Sequence, residues 1–318
     1  MDVPTIDFAP FLRGGREDRE AIAKTVDSAL SSVGLIYVKN HGIPDNEVNE
    51  AFSWLQRFFA LPNAKKRTVQ RYREMGREII RSHPSRREAL NLANPSLDMS
   101  ADQWPTEEIL PGFRDFMESF WQNCARLLHQ LIDCVSLALE LPEEHSLSKC
   151  HSRSCFSMGC SYYPETLITH ETGPRMGAHS DSCTLTLLFQ DPTGGLELGD
   201  RASVQGKVSA ANFEQRGGTY KPIDFREGMV LVNVGYVMGR YSNGRNKSTI
   251  HRVGSPDVAA VPGRTETPDR YSIAFFGDPD PGTIADALPG TYNPENPKRW
   301  GPLNIDEYLG GIKEKTST

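Results

Sequence analysis

Three side chains, separated in sequence but matched in chemistry, stand out in this chain. His179 and Asp181 lie in Ala178-His179-Ser180-Asp181, and His251 lies in Ser248-Thr249-Ile250-His251-Arg252-Val253. Two imidazoles and one carboxylate are what a mononuclear non-haem Fe(II) centre uses to hold one face of the metal and leave the other open to oxygen chemistry. In extended chain, residues two apart point the same way, so His179 and Asp181 can share a cavity while Ser180 faces elsewhere. The third ligand must then come from another strand, and an isolated His-x-Asp without it is a weak signal. His170 precedes Glu171 but has no ligand-type partner two residues on, and its segment, 169–177, reads as loop. His41, His83, His129, His145 and His151 fall in helical or loop contexts and read as structural or surface residues.

A second constellation is Arg270-Tyr271-Ser272. On a strand Arg270 and Ser272 share a face, and a guanidinium beside a hydroxyl suits a carboxylate held bidentately in a largely buried site. A metal centre next to such a clamp implies a dicarboxylate cosubstrate. Tyr163, in Ser161-Tyr162-Tyr163-Pro164, either donates its hydroxyl to the same anion or packs in the core.

The elements that must position these groups divide the chain. Helical spacing predicts a helix over 16–32 with Ile22, Val26, Ala29 and Leu30 on one face, ended by Gly34, then a short buried strand over 35–38. A second helix is expected from about Asn46 to Ala60, and the longest from Gly112 to about Leu141, with Phe113, Met117, Phe120, Cys124, Leu127, Leu131 and Val135 as its core stripe. The Arg-rich stretch 65–105 reads as a long irregular excursion. After Leu141 short β-rich runs take over: 156–163, 184–189, 196–198, 204–208, 229–234, 249–253 and 270–276. Helices segregated from strands indicate an α+β fold, and many short strands a sandwich or barrel. The expected organisation is one domain over 1–318: a mainly helical region at 1–150, the β-rich core with the metal site at 151–280, and a tail at 281–318. An amphipathic stretch around Ile305, Tyr308 and Leu309 packs back on the core.

Composition bounds the partners. The 318 residues are 38% hydrophobic, enough for a substantial core, and 41 acidic against 35 basic residues leave a net charge of −6. No basic block could neutralise a run of phosphates, so nucleic acid is not an expected partner. The first residues lack the basic and apolar pattern of a signal peptide, and no segment approaches the roughly 18 apolar residues of a membrane span. The chain reads as soluble and cytoplasmic, acting on a small molecule. Six cysteines without a C-x-x-C pair read as reduced thiols.

With these motifs in place the chain resembles the Fe(II)- and 2-oxoglutarate-dependent dioxygenases, in the branch that includes isopenicillin N synthase and thymine 7-hydroxylase. The likeness runs over nearly the whole length. It includes Pro4-Thr5-Ile6-Asp7, Asn40-His41-Gly42-Ile43, Leu61-Pro62, Trp104-Pro105 and Tyr162-Tyr163-Pro164. It continues through Ala178 to Asp181, Leu185 to Asp191, Gly194-Gly195-Leu196, Asn233-Val234-Gly235, Ser248 to Val253, Arg270 to Phe276 and Pro289 to Tyr292. The resemblance implies a double-stranded β-helix, a distorted jelly roll, with flanking helices. It implies iron on His179, Asp181 and His251, and the distal carboxylate of 2-oxoglutarate on Arg270 and Ser272, with Tyr163 as a further contact. It also implies O2 as cosubstrate, succinate and CO2 as products, and oxidation of a substrate C–H.

The chain departs from that pattern in three places. Ser161 stands where relatives often have Asn, and Tyr236 where they often have Asp in Asn-x-Gly-Asp. The Arg-Gly-Tyr run appears only as Arg71-Tyr72, and the Arg-rich region after it reads as a lid. The stretch 254–269, rich in Pro, reads as a loop beside the pocket, and Tyr162, Leu188, Tyr236 and Phe276 are candidate pocket residues by strand position. Three other readings use some of the same residues: an iron oxidase that needs no 2-oxoglutarate, a non-catalytic metal-binding β-barrel, and a zinc hydrolase. The last has no general base beside the ligands and leaves the clamp without a role.

Overall fold

The apolar stripes of the first half bury themselves against one another and against one face of a large sheet. The computed structural model describes residues 2–80, 83–97, 103–167, 173–206, 208–254 and 266–317. β1 (Thr5–Asp7) leads into α1 (Ala9–Arg13) and α2 (Arg16–Ser32), whose Ala23, Val26, Ala29 and Leu30 are buried. Gly34 lies just beyond, at φ +79°, and an added Cβ would fall 2.0 Å from the Lys247 carbonyl oxygen, so only glycine fits there. β2 (Leu35–Lys39), α3 (Asp45–Phe59) and α4 (Asn63–Lys66) follow. The longest helix, α5 (Phe113–Ala138), buries the expected stripe from Phe113 to Val135. Each large side chain so buried stabilises the fold by about 1.5–3 kcal/mol.

The stretch 65–105 is more ordered than its sequence suggests. It forms β3 (Tyr72–Arg73), a hairpin of β4 (Ile79–Ile80) and β5 (His83–Pro84), and β6 (Glu88–Ala93). Glu-Ala-Leu-Asn-Leu-Ala has few β-branched residues, but it alternates: Leu90 and Leu92 are fully buried in the core, and Asn91 is exposed. Antiparallel pairing along β7 (Ser157–Tyr163) overrides its weak propensity. The expected lid is therefore partly an integral strand of the main sheet.

The remaining strands are β8 (Thr166–Leu167), β9 (Met176–His179), β10 (Leu185–Gln190), β11 (Leu196–Asp200), β12 (Thr219–Pro222), β13 (Met229–Val234), β14 (His251–Val253), β15 (Glu266–Thr267) and β16 (Arg270–Phe276). α6 (Tyr236–Tyr241) follows β13, and β17 (Ile284–Ala285), β18 (Leu303–Asn304) and α7 (Ile305–Ser317) close the chain. Eight strands form one sheet in the order β1-β2-β13-β10-β16-β7-β6-β3, and four form a second in the order β12-β11-β14-β9. Leu35, Tyr37 and Leu231 of the first pack against Leu196 and Leu198 of the second, giving the sheet-on-sheet core of a jelly roll. The fold is thus the expected α+β double-stranded β-helix.

Three local expectations are corrected. Among the described residues of 204–208 there is no strand: Val204 ends a 3-10 turn, Gly206 takes φ +75°, and β12 pairs with β11 instead. Met176 and Gly177 begin β9 rather than belonging to a loop, and Glu266–Thr267 pairs with Thr166–Leu167 within the expected pocket-side loop. His170 and residues 255–265 of that loop lie outside the described residues. The tail packs back as expected, with Ile305 buried and the Tyr308 ring tilted against Tyr236, centroids 5.2 Å apart.

Candidate metal centre and cosubstrate clamp

Strand alternation gives the main sheet two different faces. One carries Met158, Cys160, Leu187, Phe189, Ile273 and Phe275, all buried, with Phe120 and Trp121 of α5 against Phe189 and Phe275. The other face looks toward the smaller sheet, and the register sorts its side chains into rungs. Ala89, Ser161, Ser272 and Gln190 form one rung; Asn91, Gly159, Ala274, Leu188 and Leu231 the next; Ser157, Phe276, Thr186 and Asn233 the third. Arg270 stands opposite Tyr163 at the polar end.

His179 and His251 come from the smaller sheet, directly paired across β9 and β14, with ring centroids 4.3 Å apart. Asp181 lies past the end of β9 and not on a continuing strand, yet its Oδ1 sits 3.8 Å from His179 Nε2 and 3.6 Å from His251 Nε2. One donor atom from each residue falls within 4.8 Å of the others, a group able to hold a metal ion. The other carboxylate oxygen, Oδ2, accepts from Thr186 Oγ1 at 2.6 Å and Asn233 Nδ2 at 2.7 Å, and His179 Nδ1 is 2.9 Å from the Gly177 carbonyl oxygen. Outer hydrogen bonds of this kind fix ligand orientation and tautomer. They leave three atoms converging, two nitrogens and one oxygen, which is the donor set Fe(II) takes.

The electrostatics agree. Burial, then His251, push the His179 pKa well down, with Arg87 adding to the effect, so the ring stays neutral and able to ligate. Burial alone would raise the Asp181 pKa, but the two imidazoles with Thr186 and Asn233 outweigh it and keep the carboxyl ionised.

Arg270 is buried at 1% exposure, with Ser272 at 5%. Its Nε donates to the Gly194 carbonyl oxygen at 2.8 Å, Nη1 to Ser272 Oγ at 3.2 Å and Nη2 to Gln190 Oε1 at 3.3 Å, so no carboxylate of the chain neutralises it through these contacts. Tyr163 lies under the guanidinium, ring centroid 5.0 Å away, and its hydroxyl donates to Met176 Sδ at 3.4 Å. Arg175, fully buried, donates from Nη2 to the carbonyls of Tyr163, Pro164 and Pro268, at the end of β7 and just before the start of β16.

Several groups at the site escape a reading of motifs. Thr186 and Asn233 carried a signal: each is a polar residue within an apolar strand, and such a residue needs a buried partner. Arg87 carried none. It lies just before β6, donates from Nη1 to Ser161 Oγ, and is paired with Glu78, Nη2 to Oε2, at 2.5 Å. Of the candidate pocket residues, Phe276 and Leu188 are on the inward rungs. Tyr162 is on the other face, its ring stacked on Tyr271 at 4.9 Å and its hydroxyl bonded to Asp269. Tyr236 is turned to the tail, its ring tilted against Tyr308 and its hydroxyl accepting from Arg240.

Two facing sheets with a His, Asp, His cluster at one mouth and a buried Arg-Ser pair beside it define a jelly-roll metalloenzyme of the oxygenase type. Comparison with known proteins narrows the class. A family model described as "2OG-Fe(II) oxygenase superfamily" matches residues 154–279, and one described as "non-haem dioxygenase in morphine synthesis N-terminal" matches residues 3–107. The chain is 31% identical to the 2-oxoglutarate-dependent dioxygenase gloF of Glarea lozoyensis, over 91% of each chain. It is 32% identical to the proline hydroxylase buaE of Petromyces alliaceus, over 88% of each. The crystal structure of a full-length Neurospora crassa protein in complex with α-ketoglutarate and thymine superposes with a TM-score of 0.84 at 26% identity, covering 99% of this chain and 97% of that one. The chain belongs to the Fe(II)- and 2-oxoglutarate-dependent oxygenase family. It is a dioxygenase that uses Fe(II), 2-oxoglutarate and O2.

Proposed function

We propose that His179, Asp181 and His251 hold the iron, that Arg270 and Ser272 hold the distal carboxylate of 2-oxoglutarate above the Tyr163 ring, and that the substrate is a small molecule of specialised metabolism. The observation that carries this reading is the pairing of two unfinished sites on the two facing sheets, the histidines on the smaller and the Arg-Ser pair on the larger. Three metal donors converge with their outer hydrogen bonds already made. Beside them a buried guanidinium has only neutral partners among its hydrogen-bond contacts. A buried Arg of this kind is stable only if something anionic completes it.

When bound, iron and the keto acid supply the oxidising power; the chain supplies placement. Thr186 and Asn233 hold Asp181 Oδ2 so that Oδ1 faces the two imidazoles. Gly177 orients the His179 ring through its carbonyl. Gly159 and Ala274 place the smallest residues of the inner face between the polar rung and Phe276, and the Phe276 ring and the Asn91 amide close over Gly159. The relatives named above support a role in biosynthesis, since they act as dioxygenases and a hydroxylase in fungi. No helix among the described residues is long and apolar enough to cross a membrane, which fits a substrate met in solution.

The test is a turnover assay with purified protein, Fe(II) and a panel of cyclic amides, amino acids and nucleobases, reading succinate. Succinate formed in step with an oxidised product is the expected result. Oxygen consumption with product but no succinate would replace this reading with the 2-oxoglutarate-independent oxidase.

A further inference from the structure

One edge of the inner face is a wall built by the N-terminal region, and its polar groups border the clamp at Ser161 and Tyr163 without being among the three metal donors. Arg87 projects from the start of β6 onto Ser161, the position where relatives often carry Asn, and its guanidinium is fixed from behind by Glu78 through Nε at 2.9 Å and Nη2 at 2.5 Å. One rung further along, Asn91 is exposed. A Cβ added to Gly159 would meet Asn91 Oδ1 at 3.4 Å and Phe276 Cε2 at 3.2 Å, so amide and ring meet over this glycine. The Asn91 backbone N–H donates to the Arg71 carbonyl, and the residue is exposed on the same face as Arg87 and Phe276.

Charge decides what this wall can accept. Arg87 is balanced by Glu78. Arg270 is balanced by the distal carboxylate of the keto acid, and Fe(II) by Asp181 together with the proximal carboxylate. Arg175 lies against the Tyr163 ring with three carbonyls on its Nη2, and burial and Arg270 outweigh the pull of Asp269 and Asp191 on it. With cosubstrate bound, Arg87, Arg270 and the iron are each compensated, and an anionic substrate would enter a poorly hydrated site without a partner. What stays available are directional groups: the N–H of Arg87 not taken by Glu78, Ser161 and Tyr163, a carboxamide able both to donate and to accept, and an aromatic face.

We infer that Arg87, Asn91 and Phe276 form the substrate subsite and that it selects a neutral, amide-bearing small molecule, such as a lactam, cyclic imide or carboxamide, over a carboxylate. The inference rests on the function proposed above, because the keto acid and the metal complete the charge balance. An amide matches the wall group for group: its carbonyl accepts from Arg87 or from the Asn91 amide, its N–H donates to Asn91 Oδ1, and a planar ring lies on Phe276.

The test uses the full chain with Zn(II) in place of iron and with 2-oxoglutarate, so that binding is read without turnover. Saturation-transfer NMR and calorimetry would measure thymine and four matched pairs: pyroglutamide and pyroglutamate, nicotinamide and nicotinate, indole-3-acetamide and indole-3-acetate, N-acetylprolinamide and N-acetylproline. The expected result is binding of at least one amide about tenfold or more tighter than its carboxylate, a margin set by the unpaired charge. Asn91→Ala and Arg87→Met should each weaken that amide about tenfold. Glu78→Gln removes the counter-charge of Arg87 and should turn the preference toward the carboxylate. Equal or tighter carboxylate binding by the wild type, no binding by any amide, or an unchanged preference in folded Glu78→Gln would overturn the inference. Calorimetric binding of 2-oxoglutarate itself separates the two levels: its absence in the wild type sinks the proposed function, and its presence with the wrong preference sinks only the subsite.

Discussion

Asn233→Ala offers a direct test of how the sheet register sets metal affinity. Asn233 Nδ2 and Thr186 Oγ1 stand opposite each other on β13 and β10, and both donate to the same oxygen of Asp181. A hydrogen bond to a charged group contributes about 1.5–3 kcal/mol, so losing one should weaken metal binding roughly 10- to 150-fold. That range overlaps the roughly 10- to 100-fold usual for groups one step removed from a metal. The loss falls on Asp181, which can then rotate so that Oδ1 no longer faces His179 and His251. Competition against a chelator of known affinity, with Zn(II) or anaerobic Fe(II), gives the dissociation constant, and Thr186→Val gives an independent second value. The melting temperature of the metal-free variants separates loss of fold from loss of ligand. Metal affinity within about twofold of wild type in both folded variants would refute the argument that these residues hold the carboxylate for the metal.

Other outcomes follow from the same geometry. His179→Ala or Asp181→Ala should abolish iron-dependent turnover while circular dichroism stays native; wild-type activity in either would remove that residue from the site. Arg270→Ala should raise the 2-oxoglutarate requirement on the order of 100-fold, with a much smaller effect on substrate KM, as expected when a buried anion loses its charged partner. Removing metal with a chelator should lower Tm, because at about 100 times its dissociation constant a ligand adds about 2.7 kcal/mol to stability; an unchanged Tm on adding metal back would contradict a site in the folded state. Lys66→Met should cost about 3–5 kcal/mol in denaturant titration, because it takes the cation from Glu88, whose carboxylate lies 2.6 Å from Lys66 Nζ with little solvent access and is left with the neutral Tyr72 hydroxyl as its side-chain partner.

The sequence was most legible where one residue type answers to one physical demand. α2 and α5 appear at the expected positions because their apolar spacing is unbroken, and Arg270 and Ser272 share a face because β16 has high β content, whereas His179 reaches His251 on the weak strand β9 and Asp181 lies beyond its end. Legibility failed where pairing with a distant strand decides the conformation. β6 has a sequence that reads equally as helix or loop and becomes a strand only beside β7. The run at 204–208 has β-forming valines at both ends but a polar, glycine-containing middle, and β12 takes its place. Arg87 was invisible for the same reason, since its partners Glu78 and Ser161 are set by the β6 register and no spacing announces them.

The rung order of the inner face has an evolutionary consequence. Thr186 and Asn233 share one rung with Phe276, Ser272 and Gln190 stand on another, and Asn91, Gly159 and Ala274 lie between them. Asp181 takes its hydrogen bonds from the first rung and Arg270 from the second, so a change at Asn91 on the middle rung alters what borders Phe276 while both sets of hydrogen bonds stay in place. A lineage can therefore drift from one metabolite to another by single steps on one rung, and the reaction itself need never be reinvented.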